Sequence, residues 1–383
     1  MAGFRFYTRR LRALISAATI QVILILFLIL LLVRFVLHNN HDPEPLPPMP
    51  GPITTVDDPA IDWFKFAYVQ YVTSPEYLCS ALMLWSQVET IGSRAQRLML
   101  YPSHWILEET DDTLPSKPLT PIARLLKQVQ TDYYVKLQPV EVLHQNHTDR
   151  AIWSDSYTKL LAFNLTQYDR VLYLDSDALY IQNMDELFLL PSAPVAMPYT
   201  HFGSPTNWAY SSHLLLLHPS SNLFQQVESA VQHVGPNEYD MDILNALFAP
   251  HILAMPPRPY HLLSSEFRRK SHKEYLGDAK ELWDPGEILA EAKYMHFSDW
   301  PIPKPWIRAT KEELNKYMPE CGENEWFGAT DCRDRTIWLG LYGMFARRRK
   351  EVCGVGFELQ QRVLIGDKGF KGLKGEVGVE GLV

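Results

Sequence analysis

The chain has no surplus of positive charge. It carries 36 Lys and Arg against 44 Asp and Glu, a net charge of -8 over 383 residues. That balance excludes a general nucleic-acid binder working through a basic surface. Cysteine is scarce, with four in all, and none stands at the spacing of a zinc site. Four suffice for one or two disulfides. Cys321 and Cys332 flank a loop containing Gly322 and Gly328 and form the favoured pair, whereas Cys79 falls on the apolar face of an expected helix and reads as a buried thiol. The part that reads as globular has no internal repeat. Between Ala13 and Val33 there is no Asp, Glu, Lys or Arg.

That last absence decides the topology expected of the chain. At 1.5 Å per residue the uncharged run spans roughly 30 Å, the thickness of a bilayer's hydrocarbon core. Arg5, Arg9, Arg10 and Arg12 precede it without an acid among them, which keeps that end in the cytosol. A cleaved signal peptide would be shorter and end at small residues, but this run continues into Arg34-Phe35-Val36-Leu37. The expectation is a single-pass type II protein: a cytosolic tail over 1–12, a transmembrane signal anchor over 13–37, and a lumenal remainder. Residues 38–60 read as a stem stiffened by Pro43, Pro45, Pro47, Pro48, Pro50 and Pro52. Asn146-His147-Thr148 and Asn164-Leu165-Thr166 have the form of glycosylation acceptors. Residues 351–383 end in glycine at every third position from Gly366 to Gly381, with no proline. Without imino-acid stiffening a collagen-like helix is disfavoured, so a disordered tail is expected and trimerisation is the rival. Nothing in the chain specifies an oligomeric state.

Residues 61–350 have an ordinary globular composition; the whole chain is 46% hydrophobic and 21% charged. Phe66–Val72 reads as a strand. Ser74-Pro75-Glu76 then opens a helix bearing Tyr77, Leu78, Ala81, Leu82, Trp85 and Val88. Further strands are expected at Leu98–Tyr101, Val140–Leu143, Val171–Leu174, Val195–Met197 and Leu214–Leu217. Helices are expected at Trp153–Thr166, Asn222–Val234 and Asp240–Phe248. Strands alternating with helices imply an α/β domain with a mixed, mostly parallel sheet and helices on both faces.

Val171-Leu172-Tyr173-Leu174 runs straight into Asp175-Ser176-Asp177. An apolar strand that ends at two carboxylates spaced i, i+2 offers oxygen ligands at the carboxyl edge of the sheet, where open α/β sheets bind ligands. A divalent cation held there could grip a diphosphate, which points to a nucleotide-sugar transferase. Two solvated acids are the bland alternative for a lone D-x-D, and the flanking sequence argues against it.

Ser156-Tyr157-Thr158-Lys159-Leu160, Leu165 to Val171, Asp175-Ser176-Asp177 and Asn183-Met184-Asp185-Glu186-Leu187-Phe188 together resemble the central block of glycosyltransferase family 8, to which glycogenin and bacterial lipopolysaccharide galactosyltransferases belong. Two more blocks follow in order. Asp240-Met241-Asp242-Ile243-Leu244-Asn245 is similar to the family's D-Q-D-I-L-N element, and His296-Phe297 with Lys304-Pro305-Trp306 to its H-F-x-G-x-x-K-P-W element. The anchor and the Trp300-Pro301-Ile302-Pro303 stretch bring the chain nearest to fungal Golgi members that add N-acetylglucosamine to mannose-rich glycans. There are departures: the His-to-Lys spacing is two residues longer, Asp299 stands where glycine is usual, and the F-N-S-G stretch becomes Tyr210-Ser211-Ser212-His213.

The resemblance implies a GT-A, Rossmann-like fold and retaining transfer from a UDP-sugar to a glycan acceptor in the Golgi. N-acetylglucosamine is favoured, with glucose or galactose as alternatives. It implies Mn²⁺ or Mg²⁺ on Asp175, Asp177 and His296. It places Tyr71, Thr73 and Tyr77 against the uridine, with Asp175 and Ser176 beside the donor. Lys304 falls on the phosphates, Lys159 on sugar or phosphate, and Asp240 on sugar hydroxyls. Taken alone, His296 would read as a core histidine, Lys159 as a snorkelling surface residue, and Asp240 and Asp242 as acids at a helix start. Two rival functions remain: a glycosidase with paired carboxylates, and a membrane-anchored glycan-binding protein without turnover.

Overall fold

The computed structural model describes residues 59–107, 119–145, 153–201, 209–236, 238–278, 280–323, 330–354 and 356–361. The expected anchor, the stem up to residue 58, the Asn146 acceptor and the Gly-repeat tail lie outside them. Among the described residues no helix is long and apolar enough to cross a membrane.

The main sheet has seven strands: β1 (Phe66–Tyr71), β2 (Gln96–Pro102), β3 (Lys136–Val140), β4 (Arg170–Leu174), β6 (Val195–Pro198), β7 (Leu214–Leu217) and β8 (Ile252–Met255), in the order β3-β2-β1-β4-β7-β6-β8. Neighbours run parallel except that β7 opposes both β4 and β6. The mixed, mostly parallel sheet expected from the sequence is therefore present. A smaller sheet of β5 (Ala178–Tyr180), β10 (Tyr294–His296) and β9 (Leu262–Leu263) adjoins it.

Alternation along the strands builds two cores. Tyr68, Leu172, Leu174, Leu214 and Leu216 share one with Trp85 and Val88 of helix α1 (Pro75–Ile91). Ala67, Val69, Val171, Tyr173, Leu215 and Leu217 share the other with Tyr157, Phe163, Val227 and Leu244. Those last four come from a 3-10 segment at Ser156–Asn164 and from helices α3 (Ser221–Gln232) and α4 (Asp240–Phe248). Among the described residues the remaining long helices are α2 (Pro121–Tyr133) and α5 (Arg333–Cys353). Truncating a buried leucine such as Leu172 to alanine would cost about 2–5 kcal/mol.

Local signals explain the ends of α1. The Ser74 hydroxyl accepts from the Tyr77 amide at 3.4 Å, Pro75 occupies the first turn, and Gly92 stops the helix at φ +83°.

Several expectations are corrected. The strand placed at Val140–Leu143 forms earlier, at Lys136–Val140, where it aligns parallel with Leu98–Pro102. The helix expected over Trp153–Thr166 is present in shorter form, as a 3-10 helix at Ser156–Asn164. Cys79 is not a thiol: it is bonded to Cys353, 274 residues away, with Cα atoms 5.8 Å apart. Cys321 and Cys332 are bonded as expected. Chain entropy makes the long closure worth roughly 5 kcal/mol or more, and the short one less than about 3. The first residues of the expected tail are ordered: Gln360 and Gln361 pair with Ile307 and Arg308. Beside the long disulfide, buried Arg349 donates to the carbonyls of Glu76 and Phe357, both at 3.1 Å, and to Ser80 Oγ at 3.0 Å.

Candidate functional site

The two sheets meet at Asp175-Ser176-Asp177, which links the end of β4 to the start of β5. Strand pairing then delivers partners from far along the chain. β7 opposes β4 with Leu214 across from Leu174, so the next residues, His213 and Asp175, also face each other. The Asp175 amide donates to the His213 carbonyl at 3.2 Å. β10 opposes β5 with His296 across from Ala178, and the Phe297 amide donates to the Asp177 carbonyl at 2.9 Å. The Tyr294 hydroxyl reaches the carbonyls of Asp175 at 3.2 Å and His213 at 3.1 Å, stitching both junctions together.

The side chains form a compact charge lattice. Lys159 Nζ lies 3.2 Å from Asp175 Oδ1 and 2.9 Å from Asp240 Oδ2. Asp240 also accepts from Ser212 Oγ at 2.6 Å, and Asp175 from the Tyr173 hydroxyl at 2.7 Å. His296 Nε2 sits 3.2 Å from Asp177 Oδ1 and 3.6 Å from Asp175 Oδ2. Lys304 pairs with the other Asp177 oxygen. Lys159, Ser176, Asp177, Asp240 and His296 are all buried.

Burial raises the Asp175 carboxyl above its usual value, against the pull of Lys159 and His296. At Asp177 burial pushes the same way, but Lys304 and His296 outweigh it and hold the carboxyl well below the usual range. Burial works against the charge on Lys159 and Lys304, yet their acid partners raise both ammonium groups above the ordinary lysine value.

Of the residues expected from the sequence, Lys159, Asp175, Asp177, Asp240, His296 and Lys304 are therefore brought together. Tyr71 stacks on Tyr173 at 5.9 Å beside them. Tyr77 meets Trp306 edge-on at 4.8 Å, and burial pushes its phenol up to about 12. Thr73 lies two residues beyond Tyr71 and is half-buried. The two acids of Asp240-Met241-Asp242 divide their work. Asp240 faces the lattice, while Asp242 accepts from the Tyr239 amide at 2.8 Å and caps the helix. Asn245 clamps both the amide and the carbonyl of Tyr210 at 2.8 Å, which fixes the stretch leading to His213. Asp185 of the Asn183–Phe188 block is structural: it binds the Tyr68 hydroxyl at 2.9 Å, Ser93 Oγ at 2.8 Å and the Arg94 amide at 2.8 Å.

His213 was given no role from the sequence. Its ring stacks on His296 with centroids 3.9 Å apart and 8° between planes. Asp175, His213 and His296 can each offer one ligand atom, all within 4.8 Å of one another. The signal was present as a histidine directly ahead of an apolar strand, the mirror of acids directly behind one. Behind His213 stands His261, with Nε2 at 3.1 Å from His213 Nδ1 and 3.2 Å from Ser211 Oγ. Burial, the first cause at both rings, and neighbouring histidines hold His213 and His261 well below the usual imidazole value. His201, next in the row, lies 5.7 Å from His261 by ring centroid and 3.4 Å from Glu266.

The donor set fits a divalent cation. Carboxylate oxygens of Asp177 and Asp175 lie 3.2 Å and 3.6 Å from His296 Nε2, a mixed oxygen and nitrogen donor set.

No family model matches the chain. Among curated proteins it is 44% identical over 296 residues to the Gibberella zeae protein named glucose N-acetyltransferase 1, an alignment covering 76% of this chain and 63% of that one. The chain thus spans less than two thirds of that relative's length. It is 40% identical over 319 residues to the protein of the same name from Aspergillus fumigatus, covering 80% of this chain and 81% of that one. Among solved structures it aligns with the glycosyltransferase GlyE of Streptococcus pneumoniae TIGR4 at a TM-score of 0.46 and 15% identity, over 75% of this chain and 63% of that chain.

Proposed function

The chain belongs to the family of proteins named glucose N-acetyltransferase 1, and from that premise we propose that it is a retaining, metal-dependent glycosyltransferase. It moves N-acetylglucosamine from a UDP-sugar to a mannose-rich glycan acceptor. The observation that carries this reading is the convergence of Asp175, Asp177 and His296 at the joint of the two sheets, with Lys159 and Lys304 on their outer oxygens.

Asp175, Asp177 and His296 would hold Mn²⁺ or Mg²⁺, which as a Lewis acid stabilises a departing diphosphate. Lys304 sits where a point charge meets the phosphates. It is the more exposed of the two lysines, with 19% of its side chain accessible against 4% for Lys159, so it can turn from Asp177 toward an arriving anion. Lys159 is locked between two acids and acts by fixing Asp175 and Asp240. Asp240, held by Lys159 and Ser212, presents its carboxylate to sugar hydroxyls. Tyr71 and Tyr77 provide aromatic walls for a uracil base, with Thr73 between them. Each acid of the lattice already has a cationic partner, and none stands as a general base. The departing phosphate takes the acceptor proton, and positioning with charge stabilisation carries the rate. The expected anchor over 13–37 would hold the domain on the lumenal side of the Golgi membrane.

The test is to incubate the full chain in mild detergent with mannose-terminated oligosaccharides and UDP-GlcNAc, UDP-Glc or UDP-Gal. A product from UDP-GlcNAc with Mn²⁺, abolished by EDTA, is expected. Hydrolysis that survives EDTA would favour a paired-carboxylate glycosidase, and UDP binding with no product from any donor would favour a glycan-binding protein.

A further inference from the structure

Asp299 takes no part in the chemistry proposed for the site, yet it lies on the loop that joins His296 to Lys304. Its side chain is wholly shielded from solvent. A carboxylate in that position is costly unless it is answered, and two elements answer it. The Tyr342 hydroxyl of α5 donates to Oδ2 at 2.8 Å, and the Ser264 hydroxyl, at the start of a 3-10 segment over Ser264–Arg268, donates to the same oxygen. Arg268 Nη1 lies 3.3 Å from Oδ1 and donates to the Asp299 carbonyl at 2.9 Å. The backbone is clamped with the side chain. The Ser298 amide donates to Ser264 Oγ at 3.0 Å, and the Ile302 amide to the Asp299 carbonyl at 2.9 Å. Phe297 packs edge-on against Tyr342 and Phe345, at 5.1 and 5.0 Å, which seats the same stretch on α5.

The two ends of the loop are held differently. His296 is fixed by its strand, because β10 pairs with β5 on one side and β9 on the other. Lys304 lies past the strand and takes its place from the loop. Of the four residues between Asp299 and Lys304, Pro301 and Pro303 have a fixed φ, and Ile302 is buried. Little slack is left, so the position of Asp299 is passed on to Lys304. We propose that Asp299 is a positioning residue that sets where the Lys304 ammonium meets the diphosphate, acting through Lys304 and independently of the cation. The proposal rests on the reading of Lys304 as a phosphate contact and deepens it.

A double-mutant cycle on the full chain tests it, with calorimetry of UDP binding at saturating Mn²⁺ as the readout. Lys304→Met should weaken UDP binding about 10–100-fold. Asp299→Asn keeps the shape and removes the charge; it should weaken UDP binding about tenfold and change Mn²⁺ affinity less than about threefold. In the Lys304→Met background the same change should cost less than about a further twofold, an outcome that a purely structural role would not produce. Tyr342→Phe removes one hydroxyl from the cluster and keeps the ring. It should repeat the pattern at about threefold, so the test does not depend on Asp299→Asn folding. Equal losses in both backgrounds overturn the proposal, as does a matching loss of Mn²⁺ affinity. Unchanged UDP affinity in Asp299→Asn and Tyr342→Phe, with Lys304→Met weakened, also overturns it and leaves the role of Lys304 standing. Undiminished UDP affinity in Lys304→Met overturns the phosphate reading of Lys304 itself.

Discussion

The site has two unlike halves. One is a lattice of full charges: Asp175, Asp177 and Asp240 are interleaved with Lys159 and Lys304. The other is a row of rings, His296, His213, His261 and His201, ending at Glu266. In the first half every group depends on a neighbour of opposite sign, because an uncompensated buried charge costs several kcal/mol. In the second, burial favours uncharged rings at His213 and His261, so a ring can be removed without leaving a stray charge. The charged half is costly to bury and needs every partner in place, while the ring half is held uncharged at His213 and His261 and carries no such cost.

The comparison can be broken most severely at Asp177. Asp177→Ala should lower sugar transfer about 10³-fold or more at saturating Mn²⁺, with circular dichroism unchanged. Wild-type transfer rates would remove the acid half from the mechanism. Lys159→Met comes next, since it leaves Asp175 and Asp240 unpaired. Denaturant titration should show a loss of about 3–5 kcal/mol, whereas His261→Leu should lose clearly less. Equal losses would erase the distinction between the halves. Asp240→Asn keeps the shape and removes one charge; a drop of about 10–100-fold in kcat with little change in Mn²⁺ affinity is expected. A matching loss of metal affinity would instead make Asp240 part of the cation site.

The smallest effect concerns pH at the far end of the ring row. Burial tends to raise the Glu266 carboxyl, but its hydrogen bonds with His201 and His272 prevail and hold it below its usual value. A depressed acid stabilises the fold above its unfolded value, about 4.3 for glutamate, and that stability is lost as pH falls through the folded value. Melting temperatures should therefore decline below about pH 4.3 in the unsubstituted chain, and the decline should flatten in Glu266→Gln. The lysines of the charged half run the other way. Their raised values stabilise the fold in full below about pH 10.4, and that stability is lost as pH rises through the higher folded values.

The two halves were also unequally legible in the sequence. Asp175 and Asp177 follow their strand directly, so an apolar run ending in acids announces an edge site. Lys159, Asp240, His296 and Lys304 were reached through ordered blocks that resemble a family. His213 was not, because its contact depends on the direction of β7. Leu214–Leu217 is buried along its whole length, and a wholly apolar strand carries no sign of whether it runs with or against its neighbour. His261 precedes a strand of only two residues, Leu262–Leu263, too short for any periodicity. The alternation of strands and helices gave the sheet. It did not give the 3-10 form of Ser156–Asn164, where local hydrogen bonding and packing override helical spacing. Nor did it give the Cys79–Cys353 bond, because a closure across 274 residues leaves no local pattern.

Isothermal calorimetry of UDP binding to the full chain, with and without Mn²⁺, tests the central claim most directly. The account predicts that UDP binds measurably only with the ion and that Asp177→Ala abolishes the difference. Equal UDP affinity with Mn²⁺ and with EDTA would contradict it.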